Sequence, residues 1–180
     1  ALRALRILSE VDLILAEDTR VSKKLLKHYS ITTPLESFHM YNEHQKAPKV
    51  IERLRQGISI AVITDAGTPG VSDPGFLLVR EAIKKEIQIT CLPGPTALIP
   101  ALVLSGLSSD AFIFEGFLPR KKGRKTKLKE ISQNSITTII YESPYRIIKT
   151  LTDLLEFIGS DREVSISSCL LYTSPSPRDV

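Results

Sequence analysis

The chain has 180 residues, of which 42% are apolar, 24% charged and 6% aromatic. That is enough for one large domain, or one domain and part of another, around a real core, and it excludes a disordered or fibrous chain. The formal charge is only +4, and no run approaches the roughly 20 consecutive apolar residues of a membrane-spanning helix, so no membrane partner is expected.

Leu2, Leu5 and Leu8 stand at helical spacing and predict a helix over 2–9. Ala1 opens directly into that pattern without a Met, so we expect the natural start to lie upstream. Val11 to Ala16 is a nearly continuous apolar run, as in a strand buried on both faces. Thr19 to Tyr29 reads as a helix, Leu35 to Phe38 as a weak strand, and Ala47 to Gln56 as a helix stopped by Gly57. Ser59 to Thr64 is the strongest strand signal. A Gly/Pro-rich loop, Asp65 to Gly75, then leads into an amphipathic helix, Phe76 to Lys85. Ile87 to Leu92 reads as another buried strand, and Thr96 as the N-cap of a helix running to Ser105. Beyond residue 109 the texture changes: strands are predicted at Phe112–Phe117, Thr137–Tyr141 and Glu163–Ile166. Helices are predicted around Leu128–Ile131 and over Tyr145–Ile158.

The repeated strand–loop–helix order predicts an α/β fold with a mainly parallel sheet in a first domain, 1–109. An incomplete second α/β domain, 110–167, follows. The stretch 168–180, with Pro175 and Pro177, fits neither domain and is expected to be a non-native tail.

Cys91 and Cys169 make no disulfide framework, and no Cys/His spacing suits zinc, so a reducing cytoplasm and no metal are expected. P-loop, GxGxxG and GxSxG signatures are all absent. Three loops end apolar strands and can carry chemistry: Glu17-Asp18-Thr19-Arg20, Asp65 to Gly70, and Pro93 to Thr96. In parallel sheets ligands bind at the carboxyl ends of strands. Asp65 can accept hydrogen bonds from a ligand's hydroxyl or amino groups; capping a turn is the rival role for Asp65 and Asp73. His39, Asn42 and Glu43 cluster in one loop, and Glu142 and Arg146 follow the strand at 137–141. Seven basic and no acidic residues lie within 120–129, leaving seventeen basic against 20 acidic side chains elsewhere. A basic loop on a slightly acidic body predicts contact with a polyanion.

The runs AEDTR (16–20), FHMYNE (38–43), TDAGTPGVSDPG (64–75), LPGPTA (92–97), GLSSDAF (106–112), FEGFLPRK (114–121) and YESPYR (141–146) occur in this order. Together they resemble the tetrapyrrole methylase superfamily, and within it the branch acting on small-subunit ribosomal RNA, over residues 1 to about 167. The resemblance implies two α/β domains with S-adenosylmethionine between them and 2′-O-methylation of a cytidine ribose in 16S ribosomal RNA. By position it places Asp65, Gly67, Thr68, Gly94, Pro95, Thr96, Ala97 and Glu142 at the cofactor. Glu17, Asp18, Arg20, Glu43 and Glu142 become catalytic candidates, and Arg120, Lys121, Lys122, Arg124 and Lys125 the RNA-binding segment. The partner implied is the ribosomal RNA or the assembled 30S subunit, and the assembly a homodimer. Against the family's pattern the chain lacks a first strand with a Pro-Ile-Gly-Asn-type loop, and Ser168-Cys169 stand where the family has Arg-Glu. Two other readings stay open: methylation of a tetrapyrrole-like small molecule, and a non-catalytic RNA-binding ribosome-assembly factor.

Overall fold

The computed structural model describes residues 2–168 and divides into two compact units, between Pro95 and Thr96. The expected non-native tail lies, apart from Ser168, outside the described residues. The division falls ahead of the change of texture near residue 110, because the helix at 98–105 belongs to the second unit.

The first unit runs α1 (Leu2–Glu10), β1 (Leu13–Ala16), α2 (Thr19–His28), β2 (Leu35–Ser37), α3 (Glu43–Arg55), β3 (Ile60–Ile63) and α4 (Phe76–Lys84). The strands form one parallel sheet in the order β2-β1-β3, with Ile14 opposite Leu35 and Ala61. The central place of β1 follows from its four buried residues. Because side chains alternate across a sheet, Leu13 and Leu15 pack with Phe38, Val50, Ile51 and Leu78 on one face, while Ile14 packs with Leu8 and Leu26 on the other. The register is locked at its start: the Asp12 carboxylate accepts from the Ser59 N–H (2.8 Å) and hydroxyl (2.6 Å). Those two bonds hold the Asp12 carboxyl below the usual range.

Helix α3 begins a turn earlier than expected. Pro48 lacks an N–H and reads as a helix start, but the turn before it is held by Asn42, whose carbonyl accepts from Gln45 and Lys46. Residues Ile87–Leu92 form no strand, which corrects the sequence reading. Their apolar run is real, yet among the described residues no strand supplies a ladder for it; only Ile87 packs on the core, and Ile89 and Cys91 are exposed.

The second unit runs α5 (Leu98–Ser105), β4 (Phe112–Phe117), α6 (Arg124–Ser132), β5 (Thr137–Tyr141) and α7 (Ile147–Ile158). Ala97, one residue after the expected Thr96, occupies the N-cap of α5. β4 and β5 pair in parallel with an irregularity between Phe114 and Gly116. Leu118, Leu128 and Ile131 form the core, with Ile140, Leu154, Phe157 and Ile158 packed on it. Residues 163–166 are not a strand; the segment is exposed, and the Arg162 guanidinium before it donates to the carbonyls of Ile131, Asn134 and Ile136.

Candidate functional site

In the first unit the polar loops gather at the carboxyl end of the sheet. Asp18 caps α2 by accepting from the Arg20 N–H (2.8 Å), and its carboxylate is gripped by the Arg20 guanidinium at 3.0 Å (Nε) and 2.6 Å (Nη2). The side-chain hydrogen bond from Arg20 above all holds the Asp18 carboxyl at about 2. Asp18 and Arg20 thus form a closed local pair.

Glu17 Oε2 accepts a long hydrogen bond (3.4 Å) from the Asp65 N–H, bringing the loops after β1 and β3 together. Asp73, from the far end of the loop after β3, faces the carboxylates of Glu17 and Asp65. Burial first, then the charges of Glu17 and Asp65, push its carboxyl up to about 6. Capping was the modest role expected for Asp73; its signal in the sequence was only its place in a Gly/Pro-rich loop. Gly67 is required here: its φ is +79°, and a Cβ would stand 2.9 Å from Asp73 Oδ2. Thr68 closes the tip of the loop, accepting from the Val71 N–H.

Glu43 is placed differently from a substrate-facing acid. It is 5% exposed, and its Oε1 accepts from the N–H groups of Gly75 (3.0 Å), Leu77 (3.0 Å) and Leu78 (3.3 Å). Gly75 at the N-cap of α4 has no side chain to offer, so Glu43 caps that helix from α3. Beside it, Asn42 accepts from the His39 N–H and donates to His39 Nε2 at 3.0 Å, leaving the buried Nδ1 without a partner among the described residues. Gly94 and Pro95 end the first unit and Thr96 and Ala97 open the second, in a largely exposed stretch.

In the second unit, Glu142 follows β5 with both oxygens engaged. Oε1 takes the Ser143 N–H (2.7 Å) and Arg146 Nη2 (2.6 Å), and Oε2 takes the Thr150 hydroxyl (2.7 Å). Burial alone would raise its carboxyl, but the bonds from Thr150 and Ser143 and the Arg146 charge outweigh it, holding the group below the usual range. The basic segment splits in two. Arg120, Lys121, Lys122 and Lys125 are exposed, whereas Arg124 is buried and bound to Asp153, Thr150 and the Pro119 carbonyl. Lys127 is paired with Glu115 and Glu130. Among the described residues no group of three His, Cys, Asp or Glu side chains is set to hold a metal, and no helix is long and apolar enough to cross a membrane.

Residues 1–170 match the family described as Tetrapyrrole (Corrin/Porphyrin) Methylases. A Thermotoga maritima protein named ribosomal RNA small subunit methyltransferase I is 46% identical over 92% of this chain and 74% of its own length. The chain belongs to the ribosomal RNA small subunit methyltransferase I family of the tetrapyrrole methylases. Family members from Vibrio cholerae (49% identical over 95% of this chain) and Synechocystis (46% over 92%) carry the same name. The chain spans about 60% of the length of these two relatives. The tetrapyrrole methylase fold is seen in the solved structure of the cobalamin biosynthetic enzyme cobalt precorrin-4 methyltransferase CbiF (TM-score 0.57, 16% identity, 89% of this chain and 70% of that one). It is also like a conserved hypothetical protein from Aeropyrum pernix K1 (TM-score 0.62, 16% identity, 79% of this chain and 53% of that one).

Proposed function

We propose that the chain serves S-adenosylmethionine-dependent 2′-O-methylation of a cytidine ribose in small-subunit (16S) ribosomal RNA, acting on the RNA or the 30S subunit in the cytoplasm. The observation that carries the RNA half of this reading is the exposed quartet Arg120, Lys121, Lys122 and Lys125, on the loop before α6 and its first turn in the second unit. A small substrate needs no such run, whereas phosphates along a strand do.

The residues of the first unit fit S-adenosylmethionine. Gly67 has no Cβ to collide with Asp73 Oδ2, which lets the Asp73 carboxylate lie against the loop near Glu17 and Asp65. The exposed Asp65 carboxylate can accept from ribose hydroxyls or an amino group, and the acids Glu17, Asp65 and Asp73 favour a cationic ligand. Thr68, Gly94 and Pro95 join the first unit's set by their match to the family's motifs, and in the second unit Thr96, Ala97 and Glu142 match those motifs too. The bound cofactor supplies a methyl group already activated on a sulfonium, so the protein's work is alignment and removal of the hydroxyl proton.

The candidate acids are not equivalent for that proton. Asp18 is locked to Arg20, and Glu43 and Glu142 are tied into their own hydrogen-bond sets. Glu17 keeps an oxygen with no partner among the described residues, so we assign it the base and leave Asp18, Arg20, Glu43 and Glu142 to positioning.

Calorimetric titration with S-adenosylmethionine tests the cofactor site: Asp65→Ala is expected to abolish binding, and undiminished affinity removes Asp65 from it. Methyl transfer to small ribosomal subunits and to precorrins, assayed side by side, separates this reading from a small-molecule methyltransferase. Failure to bind the cofactor at all would favour an assembly factor.

A further inference from the structure

Arg124 sits in the middle of the most basic stretch of the chain, yet it is 9% exposed while its neighbours Lys122 and Lys125 are exposed. Its guanidinium is divided among three partners. Nε donates to Asp153 Oδ2 at 2.7 Å, Nη1 to the Pro119 carbonyl at 3.2 Å, and Nη2 to Thr150 Oγ1 at 2.8 Å. Thr150, itself 2% exposed, has a single hydroxyl proton, and the 2.7 Å contact to Glu142 Oε2 takes it. The direction of the chain is therefore fixed: Arg124 donates to Thr150, and Thr150 donates to Glu142. Lys149 also reaches Asp153, at 3.2 Å.

We propose that Arg124 is a positioning residue rather than a phosphate contact, and that Thr150 is the relay through which it fixes the basic loop 119–125 to the Glu142 loop after β5. The loop leaves the core at the buried Leu118, and Arg124 holds it again at the first residue of α6, gripping the carbonyl of Pro119. The segment from 120 to 123 is thereby pinned at both ends, and its exposed cations keep a set spacing. A loop ordered before binding loses less conformational entropy on meeting a strand of phosphates. The functional meaning of the relay rests on the RNA-binding reading above; the relay itself does not.

The experiment uses the full chain, an RNA probe taken from the small ribosomal subunit, and amide hydrogen exchange across residues 119–125. Protection of β4 and β5 serves as the folding control. Thr150→Ser keeps the hydroxyl and is expected to leave both readouts within about twofold, whereas the isosteric Thr150→Val breaks both bonds. Thr150→Val is expected to speed exchange in the loop about tenfold and weaken RNA binding about tenfold, with the salt dependence of binding unchanged. Lys122→Gln is expected to do the opposite: unchanged exchange, and a salt slope smaller by about 0.7. Two results overturn the proposal. One is wild-type exchange in the Thr150→Val loop. The other is an Arg124→Gln variant whose effect is that same loss of slope with exchange unaltered, the mark of a fifth phosphate contact. If neutralising Lys121, Lys122 and Lys125 leaves RNA binding untouched at every salt concentration, the RNA reading fails, and exchange still decides the relay.

Discussion

Removal of the Glu43 carboxylate is the sharpest single test of how the first unit is held. Glu43→Ala deletes the acceptor of three backbone N–H groups at the start of α4, two of which belong to the buried residues Gly75 and Leu78. An unsatisfied buried donor costs about 1–3 kcal/mol, and loss of a helix cap typically about 1 kcal/mol. The sum for two buried donors is about 2–6 kcal/mol, at its upper end near the whole stability of a small unit. Glu43→Gln keeps a carbonyl acceptor in place and gives up only the charge, so about 1–1.5 kcal/mol is expected. In denaturant titration the Gln variant should fold with a lowered midpoint, and the Ala variant should be largely unfolded or melt at least about 8–16 °C lower. Amide exchange should single out α4. An Ala variant within about 1 kcal/mol of the wild type would refute the capping role, and a Gln variant that folds normally yet loses all methyl transfer would return Glu43 to the chemistry.

Asp73 makes a pH-dependent prediction. Its folded carboxyl titrates near 6, above the unfolded value, so the folded state holds the extra proton between about pH 4 and 6 and loses stability as pH rises through that window. Asp73→Asn should flatten this decline in melting temperature; an unchanged profile removes Asp73 as its source. Gly67→Ala places a methyl group 2.9 Å from Asp73 Oδ2 at a positive φ and should cost about 1–2 kcal/mol while weakening S-adenosylmethionine binding, which melting and calorimetry would show together. Charge reversal of Lys121, Lys122 and Lys125 should weaken RNA binding and cut its salt slope; an unchanged slope would sink the phosphate-binding role. Ile14→Ala, at a fully buried position of β1, should cost about 2–5 kcal/mol by chemical denaturation.

Much of the frame was legible because the physics that sets it is local. The unbroken apolar run at Val11–Ala16 announced a strand covered on both faces, and β1 is that strand. The β-branched run Thr137–Tyr141 likewise marked β5 to the residue. What escaped was set by partners distant in sequence. Ile87–Leu92 has a strand's composition, but composition does not supply a neighbour to pair with. Glu43 looked available for catalysis because Gly75, at the N-cap of the helix it caps, lies 32 residues later. Arg124 was indistinguishable from its basic neighbours, although Gly123 before it, at φ +84°, turns the chain into α6 and sets Arg124 inward. That glycine is the one local sign of the turn in the sequence. For the acids at the sheet's carboxyl end, sequence gave the loops but not the convergence of Glu17, Asp65 and Asp73, which depends on the β1–β3 register.

That register also governs when the first unit can assemble. β1 pairs with β2 and β3 in parallel, so no hairpin can start the sheet, and its first ladder must wait for Leu35 and its second for Ile60. At ribosomal rates of about 5–20 residues per second, β1 emerges roughly 2–10 seconds before β3 is made. During that interval Leu13, Ile14 and Leu15 are exposed on an unpaired strand. Helices α1 and α2, which can form from local contacts alone, are the first cover available to Ile14, while the opposite face waits for α3 and α4.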